Sequence, residues 1–161
     1  VGTPVAPACI VPTALEAAPP LIAPPLEVGV NGPEGCALSP ADLRRLFHGR
    51  RLTPARRERL AASGRVVARC GSRIVGLAAF EPLGAEVRVH EFGTDTGSVV
   101  PAERIADVLL DALEVACLAC GARRLVLLPR AAVMPGLLQS RGFAATAEGC
   151  AGSWFEKSFP S

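Results

Sequence analysis

Tyrosine is absent from this 161-residue chain, and its aromatic residues are six phenylalanines and one tryptophan. Half of the residues are apolar, so the core has to be assembled from Ala, Val and Leu. A surplus of charge is missing too: seventeen basic against fifteen acidic residues leave a net charge of +2, too balanced for a nucleic-acid partner. Prolines interrupt every apolar run short of the roughly 20 residues that span a bilayer. The start of the sequence has neither the basic region nor the apolar stretch of a signal peptide. These absences predict a cytoplasmic protein without membrane or nucleic-acid partners, and the Ala/Arg/Gly/Pro bias suggests a bacterial genome of high GC content. Of the six cysteines, Cys117 and Cys120 form a C-x-x-C, but inside an amphipathic helical pattern and with no second pair at zinc-ligand spacing. The two histidines, His48 and His90, add no ligand motif. No metal is expected, and the cysteines read as small packing residues.

What is present falls into two parts. Residues 1–25 form an arm rich in proline and alanine, at a proline density that prevents both helix and ladder pairing. It is unusually apolar for a linker, which leaves two readings: a tail, or a strap docked on its own domain or on a neighbouring subunit. Residues 26–161 carry the signals of one domain with a substantial core. Leu26–Val30 reads as a short strand. Ser39-Pro40 and Thr53-Pro54 are start signals for two helices, the second running to Ala62. Arg44, Arg45, Arg50, Arg51, Arg56, Arg57 and Arg59 make both helices basic, either as a solvated face or as a rim that attracts anions. Two strands around Gly71-Ser72 form a hairpin, and Glu86–Phe92, alternating and β-branched, adds a third antiparallel strand.

The stretch from Glu86 to Phe143 is the most informative. After its strand comes a helix opened by Pro101, with Ile105, Val108, Leu109, Ala112, Leu113, Ala116 and Cys117 at spacings of three and four, and stopped by Gly121. Arg124–Leu128 is a nearly continuous apolar run, as in a strand covered on both faces. A short helix and Ser140-Arg141-Gly142-Phe143 come next, and two strands around Glu148-Gly149 close the chain.

This order resembles the second half of the GNAT superfamily, the GCN-related N-acetyltransferases, over roughly residues 65 to 159. The resemblance implies an α/β (α+β) fold: a mixed, mostly antiparallel sheet with helices on both faces, splayed between the strand ending near Gly93 and the strand at Leu125–Leu128. It implies an acyl-CoA, acetyl-CoA by default, as acyl donor, and an amine of a small molecule or a protein as acceptor. Acyl-CoA contacts then fall on Phe92, Gly93 and Thr94, on Ala102, Glu103, Arg104, Ile105 and Ala106 in the first helical turn, and on Leu128. The segment Pro101–Ala106 aligns with the family's Arg/Gln-x-x-Gly-x-Gly/Ala loop and keeps only the final small residue, Ala106. Its central glycine is Arg104, which either crowds the pyrophosphate or pairs with it through the guanidinium. In Leu137–Phe143, the position of the family's tyrosine, often the acid that protonates the departing thiolate, is Leu138.

Acyl transfer to an amine needs placement and a group that takes the ammonium proton. The candidates are Glu91, close to where some family members carry a catalytic glutamate, and the adjacent His90. Strand alternation predicts that the two point to opposite faces, so that only one meets the cleft. The sequence is thus read as an acyl-CoA-dependent N-acyltransferase. The alternative is a catalytically inactive GNAT-like subunit of a larger assembly.

Overall fold

The computed structural model describes residues 25–32, 37–131, 134–146 and 153–160. The expected arm lies outside these residues apart from Pro25, as does the Glu148-Gly149 turn. Strands β1 (Leu26–Asn31), β2 (Gly64–Cys70), β3 (Arg73–Leu83), β4 (Glu86–Thr94), β5 (Arg124–Leu127), β6 (Ala144–Thr146) and β7 (Trp154–Ser158) form one sheet in the order β1-β2-β3-β4-β5-β7-β6. Among the described residues four helices accompany them: α1 (Pro40–Leu46), α2 (Pro54–Ala62), α3 (Ala102–Ala119) and α4 (Pro135–Ser140). Every strand pair is antiparallel except β4–β5, which is parallel and joined by the α3 crossover.

The helix starts are set by their caps. Ser39 and Asp42 form a reciprocal capping box at α1, and the Thr53 hydroxyl accepts from the Arg56 N–H at α2. On one face of the sheet α3 buries Ile105, Leu109 and Leu113 completely against Val87, Val89, Leu125 and Leu127. Each such side chain contributes about 1.5–3 kcal/mol by leaving water. The helix lies so close to β3 that a Cβ on Gly76 would come within 2.5 Å of Ile105 Cγ2. On the other face, Leu46 and Phe47 at the end of α1 and Leu60 of α2 pack with Val67, Leu77 and Ala79. The expected helices on both faces are thereby present.

Strand β4 has two irregularities. Between the pairs Ala79–Glu91 and Phe80–Val89 the register shifts, leaving His90 as the extra residue of a β-bulge. Val87, Val89 and Phe92 face α3, while both His90 and Glu91 face α2. The expectation that alternation separates His90 from Glu91 is therefore corrected: the bulge cancels one step of alternation and puts both on the same face. The second irregularity is a fork. The β4–β5 ladder ends at Val89–Leu127 and is closed by the Leu128 N–H donating to Val89 O at 2.9 Å. Beyond it β4 continues to Thr94 while β5 has stopped, so the sheet splays where expected.

Candidate functional site

A cleft of about 280 Å³ opens at the fork. One wall is the free stretch of β4, Glu91 to Thr94; the other is built from the end of α1 and the turn after it, Arg56 of α2, and Arg130 and Met134 beyond β5. Close packing sets the wall: a Cβ on Gly93 would lie 2.6 Å from Leu46 O, so β4 reaches the end of α1 only because residue 93 is glycine. His48 (φ 53°) and Met134 (φ 54°) are the non-glycine residues with positive φ among the described residues, and both line the cleft. Left-handed backbone costs such residues roughly 1–2 kcal/mol, and strain of this kind concentrates at functional sites.

Glu91 is the carboxylate of the cleft. Its side chain is 4% exposed, and both oxygens accept from Arg56, at 2.7 Å from Nε and 2.7 Å from Nη2. The hydrogen bonds to Glu91 hold the Arg56 pKa above its ordinary value, against the opposing effect of burial. Fork-to-fork pairing of this type fixes orientation as well as charge.

His90 lies next to this pair but outside the lining of the cleft. Its Nε2 is 2.7 Å from Ser63 Oγ, and that hydroxyl is 2.5 Å from Arg59 O, to which it donates. The hydroxyl's single hydrogen being spent there, Nε2 carries the ring proton and donates to Ser63. Burial, followed by the nearby Arg59 charge, pushes the His90 pKa below 6.5, and Glu81 only partly offsets this.

The loop between β4 and α3 is held by Asp95. Its carboxylate accepts from Arg73 (2.9 and 2.7 Å) and from the Gly97 N–H (2.9 Å), with Arg45 3.3 Å away. Burial works to raise the Asp95 pKa, but these partners bring it below the ordinary value. Thr94-Asp95-Thr96-Gly97 is thus chiefly turn chemistry, with Thr94 and Thr96 lining the cleft. The loop delivers the chain to the start of α3, where no side chain caps the helix. The N–H groups of Ala102, Glu103 and Arg104 precede the first helical bond. The Ile105 N–H is already given to Pro101 O, so only part of the expected Ala102–Ala106 cradle has free donors. Ile105 and Ala106 are core residues, whereas Glu103 and Arg104 are exposed.

Of the residues expected to act, Glu91, Phe92, Gly93 and Thr94 come together at the cleft, Leu128 sits at the base of the fork, and the first turn of α3 lies one loop further on. Leu138 is buried in the core. Sequence reasoning places Arg50 and Arg56 only within a general basic face, and it misses His48, Arg130 and Met134 at the cleft. Arg56 has a usable signal: with Arg59, Leu60 and Ser63 it makes a stripe at helical spacing that turns toward the sheet. Three of the arginines expected on a solvated or anion-attracting face are in fact tied inward or sideways: Arg45 to Asp42 and Asp95, Arg56 to Glu91, and Arg59 to Glu81.

No family model and no curated protein matches the sequence. Solved structures do match in shape. The Paia N-acetyltransferase of Thermoplasma acidophilum, in complex with coenzyme A, superposes with a TM-score of 0.60 at 12% identity, over 84% of this chain and 99% of that one. N-acetylglutamate synthase from Neisseria gonorrhoeae, complexed with coenzyme A and N-acetyl-glutamate, gives 0.62 at 12% identity, over 84% of this chain and 36% of that one. A GNAT family acetyltransferase from Elizabethkingia anophelis with acetyl-CoA bound gives 0.61 at 12% identity, over 83% and 97%. Likeness at such low identity is a likeness of fold, and it agrees with the strand order and the fork: the chain has the fold of the GNAT N-acetyltransferases.

Proposed function

We propose that this protein transfers an acyl group, in the simplest case acetyl, from acyl-coenzyme A to an amine of a small molecule or a protein. The observation that carries the reading is the fork: from Glu91 to Thr94, β4 runs beside a cleft with no strand on its β5 side among the described residues, which leaves backbone groups for a pantetheine arm to pair with. In this reading the arm lies along Phe92, Gly93 and Thr94, with Leu128 on the other prong. The pyrophosphate meets the N–H groups of Ala102, Glu103 and Arg104, where the positive end of α3 favours an anion. Arg104, exposed at that end, takes the pairing role rather than the crowding one. Ile105 and Ala106 set the helix start from below.

The amine then approaches the thioester from the side of α1 and α2. Glu91, directly or through a water, accepts the proton that the ammonium must lose, and the Arg56 fork keeps the carboxylate aimed. The nitrogen attacks the carbonyl carbon, the C–S bond breaks, and the thiolate leaves as coenzyme A once protonated. Of the two candidate catalytic residues Glu91 has the position of a base; His90, donating to Ser63, braces the bulge that presents Glu91. A calorimetric titration with acetyl-CoA, followed by a thiol-release assay over a panel of amines, tests the proposal. Saturable one-to-one binding and amine-dependent release of coenzyme A are expected. Absence of binding would refute it, and binding without release for any amine would leave a coenzyme-binding domain and no transferase.

A further inference from the structure

We infer that the acceptor carries an anionic group, a carboxylate or a phosphate, in addition to its amine, and that Arg50 and Arg130 receive that group. The inference rests on the acyl-transfer reading and narrows its substrate. The charges that line the cleft are Arg50, Arg56, Arg130 and Glu91. Glu91 and Arg56 neutralise each other through two hydrogen bonds. Arg50 and Arg130 remain, both exposed and neither in an ion pair among the described residues. Of the other arginines on α1, α2 and the turn between them, Arg45 and Arg59 are tied to carboxylates that belong to the fold, and the exposed Arg44, Arg51 and Arg57 lie outside the lining of the cleft.

Both free guanidiniums stand on built turns. The Arg50 N–H donates to Phe47 O at 3.0 Å, and the left-handed pair His48 and Gly49 (φ 53° and 74°) brings the chain back over the cleft. Across from it, the Ala131 N–H donates to Leu128 O at 2.8 Å, with Ala131 fully buried, so Arg130 projects from an anchored corner. Two like charges around one small cleft repel each other and any cationic ligand, and they raise the local concentration of anions. A guanidinium also offers a rigid fork of N–H donors that pairs with two oxygens of a carboxylate or phosphate in a way that an ammonium cannot. The phosphates of coenzyme A have another place, at the uncapped start of α3 beside Arg104. An acceptor with one end anionic and the other an amine therefore meets Arg50 and Arg130 with the first and Glu91 with the second.

The test is binding to the full chain saturated with coenzyme A. The probes are L-glutamate and O-phosphoethanolamine as anionic amines, with glycinamide and putrescine as neutral-headed and dicationic controls, in wild type, Arg50→Gln and Arg130→Gln. At least one anionic probe should bind tenfold or more tighter than both controls. Each substitution should weaken that probe about tenfold while leaving the Kd of coenzyme A within a factor of two, and Arg50→Lys should recover part of the loss. Equal binding of anionic and control amines, failure of both anionic probes, or a loss confined to coenzyme A affinity would each overturn the inference; the last would assign the arginines to the coenzyme's phosphates. Thiol release is read in parallel: the expected binding pattern without release would sink acyl transfer and leave the anion site standing.

Discussion

Removing the charge of Arg56 and removing that of Glu91 should have very different costs, although the two residues share one ion pair. The Glu91 side chain is 4% exposed and that of Arg56 is 21% exposed. In Arg56→Met the carboxylate stays where it is, out of water and without a counter-ion; breaking a buried pair in this way costs about 3–5 kcal/mol. In Glu91→Gln the amide keeps the shape and one acceptor oxygen, and the guanidinium is near enough to the cleft to recruit water. The loss is then that of charge-assisted hydrogen bonds, about 1.5–3 kcal/mol. The double variant has no charge to strand, so its cost should fall short of the sum by about 2 kcal/mol. Urea unfolding at neutral pH, followed by the single tryptophan, Trp154 on β7, reads all three. For a domain of this length the Arg56→Met loss corresponds to a fall in Tm of about 6–20 °C. Equal costs for the single variants, or strict additivity in the double, would mean that Glu91 is solvated in solution and that Arg56 does not hold it. The argument for an aimed base would then fail.

The same geometry sets three further outcomes. Glu91→Gln should lower turnover most near neutral pH and less in alkali, because high pH supplies the free amine without a base; a loss that is flat across pH would point to positioning alone. Arg104→Glu places a negative charge beside the start of α3 and should weaken acetyl-CoA binding well over twofold, by an amount that shrinks in added salt; unchanged affinity would move the pyrophosphate elsewhere. His90 has a folded pKa below the ordinary 6.5, so the unfolded chain takes up a proton there while the folded state stays neutral. Its contribution is complete above about pH 6.5 and declines as the pH falls below that value; Tm measured from about pH 7 to 5.5 should slope less in His90→Gln than in wild type, and parallel slopes would remove His90 as the cause.

Much of the fold was legible because its signals are local and periodic. The Gly71-Ser72 hairpin, the helix from Pro101 to Gly121 and the apolar run after Arg124 each declare themselves within about twenty residues, and all three are where their patterns put them. The site was legible only in part. Glu91 stood out by chemistry and by resemblance, but its counter-ion did not, since Arg56 is one of several arginines on two basic helices. Only the docking angle of α2 decides which of them meets the sheet. His48 and Met134 carry no sequence mark of a left-handed backbone, and Arg50 and Arg130 are ordinary turn residues until the turns converge.

The bulge at His90 shows why such sites resist reading from sequence. In Val87-Arg88-Val89-His90-Glu91-Phe92 the polar pair His90-Glu91 breaks the alternation by one step, and strict alternation of the backbone would send Glu91 toward α3, into the apolar layer of Val89, Phe92 and Leu109. A carboxylate there would have no partner, and burying it unpaired costs several kcal/mol. Inserting one residue resolves the conflict: Phe92 joins the apolar layer, Glu91 reaches Arg56, and His90 finds Ser63. The added local twist at a bulge also suits the departure of β4 from β5, which begins at that same point, just past Val89. The polar pair, the bulge and the fork are thus one arrangement, in which the partners available on α2 decide where the strand breaks its own rule. A variant that removes the conflict, such as Glu91→Leu combined with His90→Thr, should lose the reason for the bulge. Hydrogen exchange of the β4 amides would then report a regular ladder to β3, where the wild type has an interrupted one. An unchanged exchange pattern would place the cause of the bulge in β3 rather than in the charges.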